Sequence, residues 1–166
     1  LVLTDVQGSQ VAPSNFTLEL YQVQYEWDEG IGDNIISFGD LHATNWLSRS
    51  LGTLWDTAGG DTVNYGSDNY IATQTFTTGL EDLEMDVTAW VKAHWGDSST
   101  YPNNGWLLKF KGAEETNSKS YFVKRFASRH TKNPFSRPKL VASWENYHID
   151  DRLAFDANTS NTITIR

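Results

Sequence analysis

The hydrophobic pattern of this chain has a period of two along most of its length and changes to a helical period at one place. Within residues 85–110, apolar side chains recur three and four positions apart, which predicts one short amphipathic helix. Asp86 stands where an N-terminal cap belongs, and Gly96 stands where a helix commonly ends. The predicted buried face of this helix comprises Val87, Trp90, Val91, His94 and Trp95.

Alternating apolar and polar residues predict β-strands for most of the remaining chain. In residues 15–25 the apolar phase shifts from even to odd positions after Leu20, which indicates either a bulge or a central strand with two apolar faces. About six or seven strands and one helix predict an all-β fold, a jelly-roll-like antiparallel β-sandwich with the helix closing one end. The predicted strands are 15–25, 70–77, 106–111, 120–127, 138–144 and 162–166.

The connections and the chain ends carry further expectations. The segment between Gly32 and Asp61 is a long connection with scattered apolar residues, so we expect it to cover one sheet. The chain starts inside a strand-like run, so residues 1–145 are interpreted as a β-sandwich module that lacks its first strands. Residues 146–166 are interpreted as an exit linker and the start of a following β module.

Composition removes several classes of chemistry. The 166 residues include no cysteine, which excludes disulfides, thiolate metal sites and cysteine nucleophiles. Neither a membrane-length apolar run nor a signal peptide is present in this sequence. Seven Trp, seven Tyr and eight Phe suit a sandwich core and equally suit a sugar-binding face.

Charge is distributed unevenly. The net charge is -8, but residues 119–139 hold seven of the thirteen Lys and Arg and no acid, so the rest of the chain carries −15. An acidic body disfavours nonspecific nucleic-acid binding. The basic segment could bind phosphate, but we favour its pairing with an acidic surface of the same chain or of a neighbouring subunit. The candidate assembly contacts are Lys124, Arg125, Arg129 and Arg137.

The tryptophans divide into two groups. Those whose phase predicts a core position are Trp90, Trp95, Trp106 and Trp144. The other three, Trp27, Trp46 and Trp55, lie in the loop region. They either anchor the covering segment or form a stacking platform for a glycan.

Candidate catalytic and metal-binding residues are sparse. The four histidines show no metal-ligand spacing, and His94 is expected to be a hydrogen-bonded core residue. The acidic runs are interpreted as solvated surface, and no catalytic motif is present, so we expect a protein that is not an enzyme and has no cofactor. A structural Ca²⁺ held by Asp56, Asp61 and Asp68 is a weaker alternative, since their spacing is not diagnostic.

Four sequence pieces in fixed order resemble one family. They are Trp27–Gly32, Trp55–Asp61, Asp86–Thr88 with Asn104–Lys109, and Ser128–Arg129 followed by Arg137–Leu140. Their order is similar to that of DNRLRE-type β-sandwich modules, which are themselves similar to carbohydrate-binding modules. Asn45-Trp46 and Asp150-Asp151-Arg152 resemble a longer version found in tailed-phage virion proteins.

The resemblance implies a non-enzymatic bacteriophage structural protein, located in the virion as a tail, neck, fibre or capsid-decoration component. Its partners would be copies of itself or other virion proteins, with no nucleic acid and no membrane. The alternative is a carbohydrate-binding module of a phage adhesin or an exported bacterial protein, located outside the cell or at its surface. In that case a surface glycan would stack on Trp27, Trp46 or Trp55.

Overall fold

Antiparallel strands make up most of the regular structure. The computed structural model describes residues 1–8, 14–30, 42–116, 118 and 123–143. The elements in chain order are β1 (Val2–Leu3), β2 (Phe16–Val23), β3 (Ser48–Ser50), β4 (Thr53–Leu54), β5 (Thr62–Val63), β6 (Ala72–Phe76), β7 (Leu83–Glu84), α1 (Thr88–Gly96), β8 (Trp106–Phe110), the single turn α2 (Ala113–Thr116) and a 3₁₀ turn (Pro134–Ser136).

Strand β2 is the centre of a four-stranded sheet. It pairs with β8 along one edge and with β6 and then β5 along the other, all antiparallel. The register runs without interruption, with Leu20 opposite both Ala72 and Leu108. Of the two interpretations offered for the phase shift in residues 15–25, the central strand is therefore confirmed, and no bulge occurs.

A second layer forms around the first residues of the chain. Strand β1 pairs with β7 on one side, and its other side forms single bridges, Val2 with Lys139 and Asp5 with Phe126. The predicted strands 120–127 and 138–144 are thus wrong where the structure describes them. Both segments lie beside the first residues of the chain, where β1 has only 2 residues, and each forms a single bridge there.

The core lies between the two layers and confirms the predicted all-β, sandwich-like fold. Phe76 and Leu83 are fully buried, and the rings of Phe16 and Phe76 stack with centroids 4.8 Å apart. Leu1, Leu3 and Phe126 pack against this cluster from the second layer. Each large apolar side chain buried in this way contributes about 1.5–3 kcal/mol to folding.

Helix α1 packs through Trp90 against the end of β2 and the start of β8. Trp90 is buried, lies edge-on to Trp106 and donates its Nε1–H to Oε1 of Gln22 over 2.8 Å. The helix ends at Gly96, but its N-cap by geometry is Val87. Asp86 accepts the backbone N–H of Thr88 at 2.8 Å, so its carboxylate satisfies the first helical N–H from the position before the N-cap, whereas the sequence predicted Asp86 as the N-cap itself.

The prediction that Trp95 is a core residue is wrong, because its exposed fraction is 88%. Trp95 lies about 140° around the helix axis from Trp90, outside the stripe that contacts the sheet. His94 is half-buried rather than a core residue, stacks on Trp90, and has Nδ1 2.6 Å from the carbonyl oxygen of Tyr101. Within the described residues, no helix is both long and apolar enough to cross a membrane.

Trp144, the end of strand 138–144, the predicted strand 162–166 and the linker region 146–166 lie outside the described residues.

A candidate tryptophan-lined binding site

Trp27, Trp46 and Trp55 line one pocket on the face of the four-stranded sheet that points away from the core. Its volume is about 400 Å³, within the size range of ~300–1,000 Å³ that small-molecule sites occupy. Val23 and Leu107 contribute apolar surface from β2 and β8. We call this site the tryptophan pocket. The sequence placed the three tryptophans in loops and did not show that they meet.

The turn at Asn45 sets the position of Trp46. Oδ1 of Asn45 accepts the backbone N–H groups of Leu47 and Ser48, at 2.9 and 3.0 Å. This side-chain hydrogen bonding closes a tight turn around Trp46. Trp46 is 59% exposed although the turn fixes its backbone.

Gly59 forms the surface on which the Trp46 ring rests. A Cβ at this position would lie 2.7 Å from Cη2 of Trp46, and φ of Gly59 is +96°. The N–H of Gly59 also donates to the carbonyl oxygen of Trp46 over 2.7 Å. Only glycine combines this backbone angle with so close an approach.

Trp55 and the turn that follows it form another wall. Nε1–H of Trp55 donates to the carbonyl oxygen of Asn45 over 3.0 Å. The buried carboxylate of Asp61 accepts the backbone N–H groups of Asp56 and Thr57, at 2.8 and 2.7 Å. Asp61 therefore organises the turn.

The Ca²⁺ alternative gains no geometric support from this turn. Oδ2 of Asp56 accepts the hydroxyl of Tyr25 over 2.9 Å, and both carboxylate oxygens of Asp61 already accept protein N–H groups. Across the part of the chain that the structure describes, no three His, Cys, Asp or Glu side chains are grouped to hold a metal.

Trp27 is held from two directions. Its Nε1–H donates to the carbonyl oxygen of Asn104 over 2.7 Å, next to the start of β8. The adjacent residue Asp28 exchanges backbone hydrogen bonds with Arg49 and Thr44, at 2.8 and 2.7 Å. The ring keeps 39% of its surface exposed. Trp27 is thus both an anchor of its loop and an accessible apolar surface.

Lys109 and Glu115 add charge to the lining of the tryptophan pocket. Oε2 of Glu115 accepts the backbone N–H of Phe110 over 3.0 Å, which fixes this carboxylate in place. On the same sheet face, the hydroxyl of Tyr21 donates to Oε2 of Glu19 over 2.6 Å, and Nζ of Lys109 lies 5.3 Å from the Tyr21 ring. Burial, together with this hydrogen bond, raises the pKa of Tyr21 to about 12.

Lys124 is placed differently from the other predicted assembly contacts. Its side chain is only 3% exposed and forms an ion pair with Asp5. Nζ also donates to the carbonyl oxygens of Gly79 and Glu81, each over 2.9 Å. Lys124 therefore joins the second layer to the β6–β7 turn and presents no charge for a partner.

The three arginines remain at the surface. Arg125 is exposed, and Nε of Arg137 donates to the carbonyl oxygen of Thr131 over 3.3 Å. Nε of Arg129 lies 2.7 Å from Oε1 of Glu29. The Arg129–Glu29 and Lys124–Asp5 ion pairs show that part of the basic segment pairs with acidic residues of the same chain. This was one of the two predicted alternatives, the other being pairing with a neighbouring subunit.

Sequence reasoning missed the polar residues of the site. Lys109 and Glu115 were not predicted as site residues, and Asn45 was named only in the Asn45-Trp46 resemblance, although Asn in a loop is a signal for a turn closed by its side chain. The placement of Lys109 and Glu115 in the pocket depends on how the strands pair, and no local sequence pattern indicates that pairing.

Comparison of the chain with protein-family models, with curated proteins and with solved structures finds no match in any of the three. The resemblance to DNRLRE-type modules stays a sequence-based prediction. Function is accordingly inferred from the residues of the site.

Proposed function

We propose that this chain is a non-enzymatic β-sandwich module that binds carbohydrate in the tryptophan pocket. The observation that carries the proposal is the convergence of three loop tryptophans, Trp27, Trp46 and Trp55, on one pocket. Aromatic walls with a few fixed polar groups are typical of small-ligand sites. An indole offers a flat apolar face together with a polar edge, which suits a sugar ring that has both apolar and hydroxyl surfaces.

The exposure of the rings favours binding over a purely anchoring role. Trp27 and Trp55 use their Nε1–H groups to hold loops, yet Trp27 and Trp46 keep large exposed areas. Apolar surface that is fixed and solvent-exposed marks interaction sites more often than scattered hydrophobic residues do. Because these indoles are held by turns and hydrogen bonds, a ligand would bind without first ordering them.

The test is a comparison of Trp46→Ala with Trp95→Ala. Both residues are exposed, but only Trp46 lines the tryptophan pocket. We expect glycan-array hits of the unmodified chain to lose at least about tenfold in affinity with Trp46→Ala, measured by calorimetry, and to be unchanged with Trp95→Ala. Circular dichroism of both variants checks that each is folded. An array without hits, or equal affinities of the two variants, would show the proposal to be wrong.

A second candidate function is assembly within a bacteriophage particle, as a tail, neck, fibre or capsid-decoration module. The observation that favours it is a set of exposed apolar side chains at the end of the basic segment: Phe135 lies inside the segment, and Leu140 and Val141 directly follow it. Arg125 and Arg137 belong to the same segment and are exposed. Exposed apolar side chains near exposed positive charge suit a neighbouring acidic subunit, and salt-sensitive self-association would be the measurable sign of such an interface.

A further inference from the structure

A second pocket adjoins the tryptophan pocket and shares Trp27 with it. Its volume is about 470 Å³, and its lining residues are Glu26, Trp27, Glu29, Asn103, Asn104 and Gly105. We call it the amide pocket. Because Trp27 lines both cavities, a ligand lying against this indole can reach into both.

The wall between the two pockets is rigid. Nδ2 of Asn104 donates to the carbonyl oxygen of Gln24 over 2.7 Å, while the backbone oxygen of Asn104 accepts Nε1–H of Trp27. Gly105 has φ of +93°, and a Cβ there would lie 3.3 Å from Nε1 of Trp27. The ring therefore sits directly on the backbone that leads into β8, so neither pocket has to form on binding.

The chemistry of the amide pocket suits hydroxyl groups. Carboxylates accept hydrogen bonds and side-chain amides both donate and accept them. Arg129 holds the Glu29 carboxylate at 2.7 Å, which fixes one acceptor and neutralises its charge. Glu26 adds a second carboxylate to the lining, and the chain as a whole carries -8, so an anionic sugar is disfavoured.

We propose that the two pockets form one elongated site for an uncharged oligosaccharide longer than a disaccharide. One part of the ligand stacks in the tryptophan pocket, crosses Trp27, and places hydroxyl groups against Asn103, Glu26 and Glu29. This inference rests on the proposed carbohydrate-binding function and adds the ligand's charge and length to it.

The experiment uses the full chain and a glycan array that contains neutral, sialylated and sulfated glycans. Oligomers of the best neutral hit, from one to six sugars, are then titrated by calorimetry. We expect neutral hits, with affinity rising at least about tenfold between the disaccharide and the tetrasaccharide. Asn103→Ala should remove most of that gain, because it weakens the tetrasaccharide more than the disaccharide. Asn103 is exposed, so this variant is expected to fold.

Ser98→Ala is the matched control, since Ser98 is exposed in the same turn region but lines neither pocket. It should bind every oligomer as the unmodified chain does. Affinity independent of length, hits confined to anionic glycans, or an equal effect of Asn103→Ala on short and long oligomers would overturn the elongated site while leaving carbohydrate binding intact. An array without hits would overturn both proposals.

Discussion

Gly59 determines at the residue scale whether Trp46 can take its place in the tryptophan pocket. Ala at this position would put a Cβ 2.7 Å from the indole and would force a non-glycine residue to φ of +96°. We expect Gly59→Ala to lower the free energy of unfolding by about 1–2 kcal/mol and to weaken glycan binding, because the ring must move. Denaturation and calorimetry on the same preparation measure the two effects.

Gly66→Ala is the control that separates the two expected effects of Gly59→Ala, the loss of stability and the loss of glycan binding. Gly66 also has positive φ, +62°, but nothing lies within 4 Å of a Cβ built there. This variant should lose a similar amount of stability, about 1 kcal/mol, and bind glycan normally. Equal loss of binding in both variants would mean that the Trp46 contact with Gly59 does not support the site.

Lys124 is a structural residue, although its sequence neighbourhood suggested a surface role. Replacing it by Ala leaves Asp5 without its cation and two carbonyl oxygens without their donor. We expect the free energy of unfolding to fall by about 3–5 kcal/mol, the usual result of breaking a buried pair from one side. Urea denaturation measures it. Lys132→Ala, an exposed residue of the same segment, should change stability by less than about 0.5 kcal/mol.

If the two lysine variants are equally stable, the placement of Lys124 at the junction of the layers is wrong. The sequence could not show this placement, because a lysine in a basic run is ordinarily solvated. Only the approach of residues 1–6 to the β6–β7 turn encloses its ammonium group.

At the scale of elements, short turns between strands depend on single carboxylates. Oε1 of Glu81 accepts the backbone N–H groups of Thr77 and Thr78, at 3.0 and 2.8 Å, in the turn between β6 and β7. The hydrogen bond from the Thr78 backbone in particular holds the pKa of Glu81 well below its usual range. The ionised form therefore stabilises the fold.

Acid should weaken this turn. An unfolded Glu titrates near pH 4.3, so the contribution of Glu81 is complete above about that pH and is lost as pH falls toward its lower folded pKa. We expect Glu81→Gln to be less stable than the unmodified chain at neutral pH and to have a shallower loss of stability in acid. Urea midpoints between about pH 2 and pH 7 measure this.

Glu114→Gln is the matched control, because Glu114 is exposed on α2. Its acid dependence should follow that of the unmodified chain. An unchanged acid slope for Glu81→Gln would contradict the assignment of this carboxylate to the turn.

Periodicity predicted the positions of helices and strands better than it predicted what those elements pack against or pair with. The helix ending at Gly96 and strands β2, β6 and β8 appear where the pattern predicted them. The core prediction for Trp95 was wrong because a helix of only 9 residues defines the direction of its apolar stripe imprecisely, and the sheet contacts a narrower stripe than the pattern indicated. The strand prediction for residues 123–127 was wrong for a different reason. Alternation shows which side chains face inward, but it does not show whether a partner strand is long enough to pair with the segment.

At the scale of the whole molecule, the uneven charge distribution predicts how the chain would self-associate. If the second candidate function is right, the basic segment of one copy contacts the acidic body of another. We expect sedimentation at low salt to show self-association that disappears above about 0.5 M salt, where charges are screened within a few ångströms. The double variant Arg125→Glu, Arg137→Glu should remain monomeric throughout.

Lys92→Glu provides the control for this charge reversal. Lys92 is exposed on α1, outside the basic segment, so the variant should associate as the unmodified chain does. A chain that stays monomeric at every salt and protein concentration would rule out self-assembly through this segment. Equal effects of the two charge changes would show that total charge, not the segment, controls association.

Local patterns determined the class of this protein: strands, one helix, no cysteine chemistry, and a basic segment on an acidic chain. These features depend on residue type and near-neighbour spacing, which the sequence states directly. Tertiary structure alone decided that Trp27, Trp46 and Trp55 meet, that Lys124 is buried, and that a second pocket continues past Trp27. Each of these facts depends on residues tens of positions apart being brought together by strand pairing and loop hydrogen bonds, and such contacts have no period that a linear pattern can show.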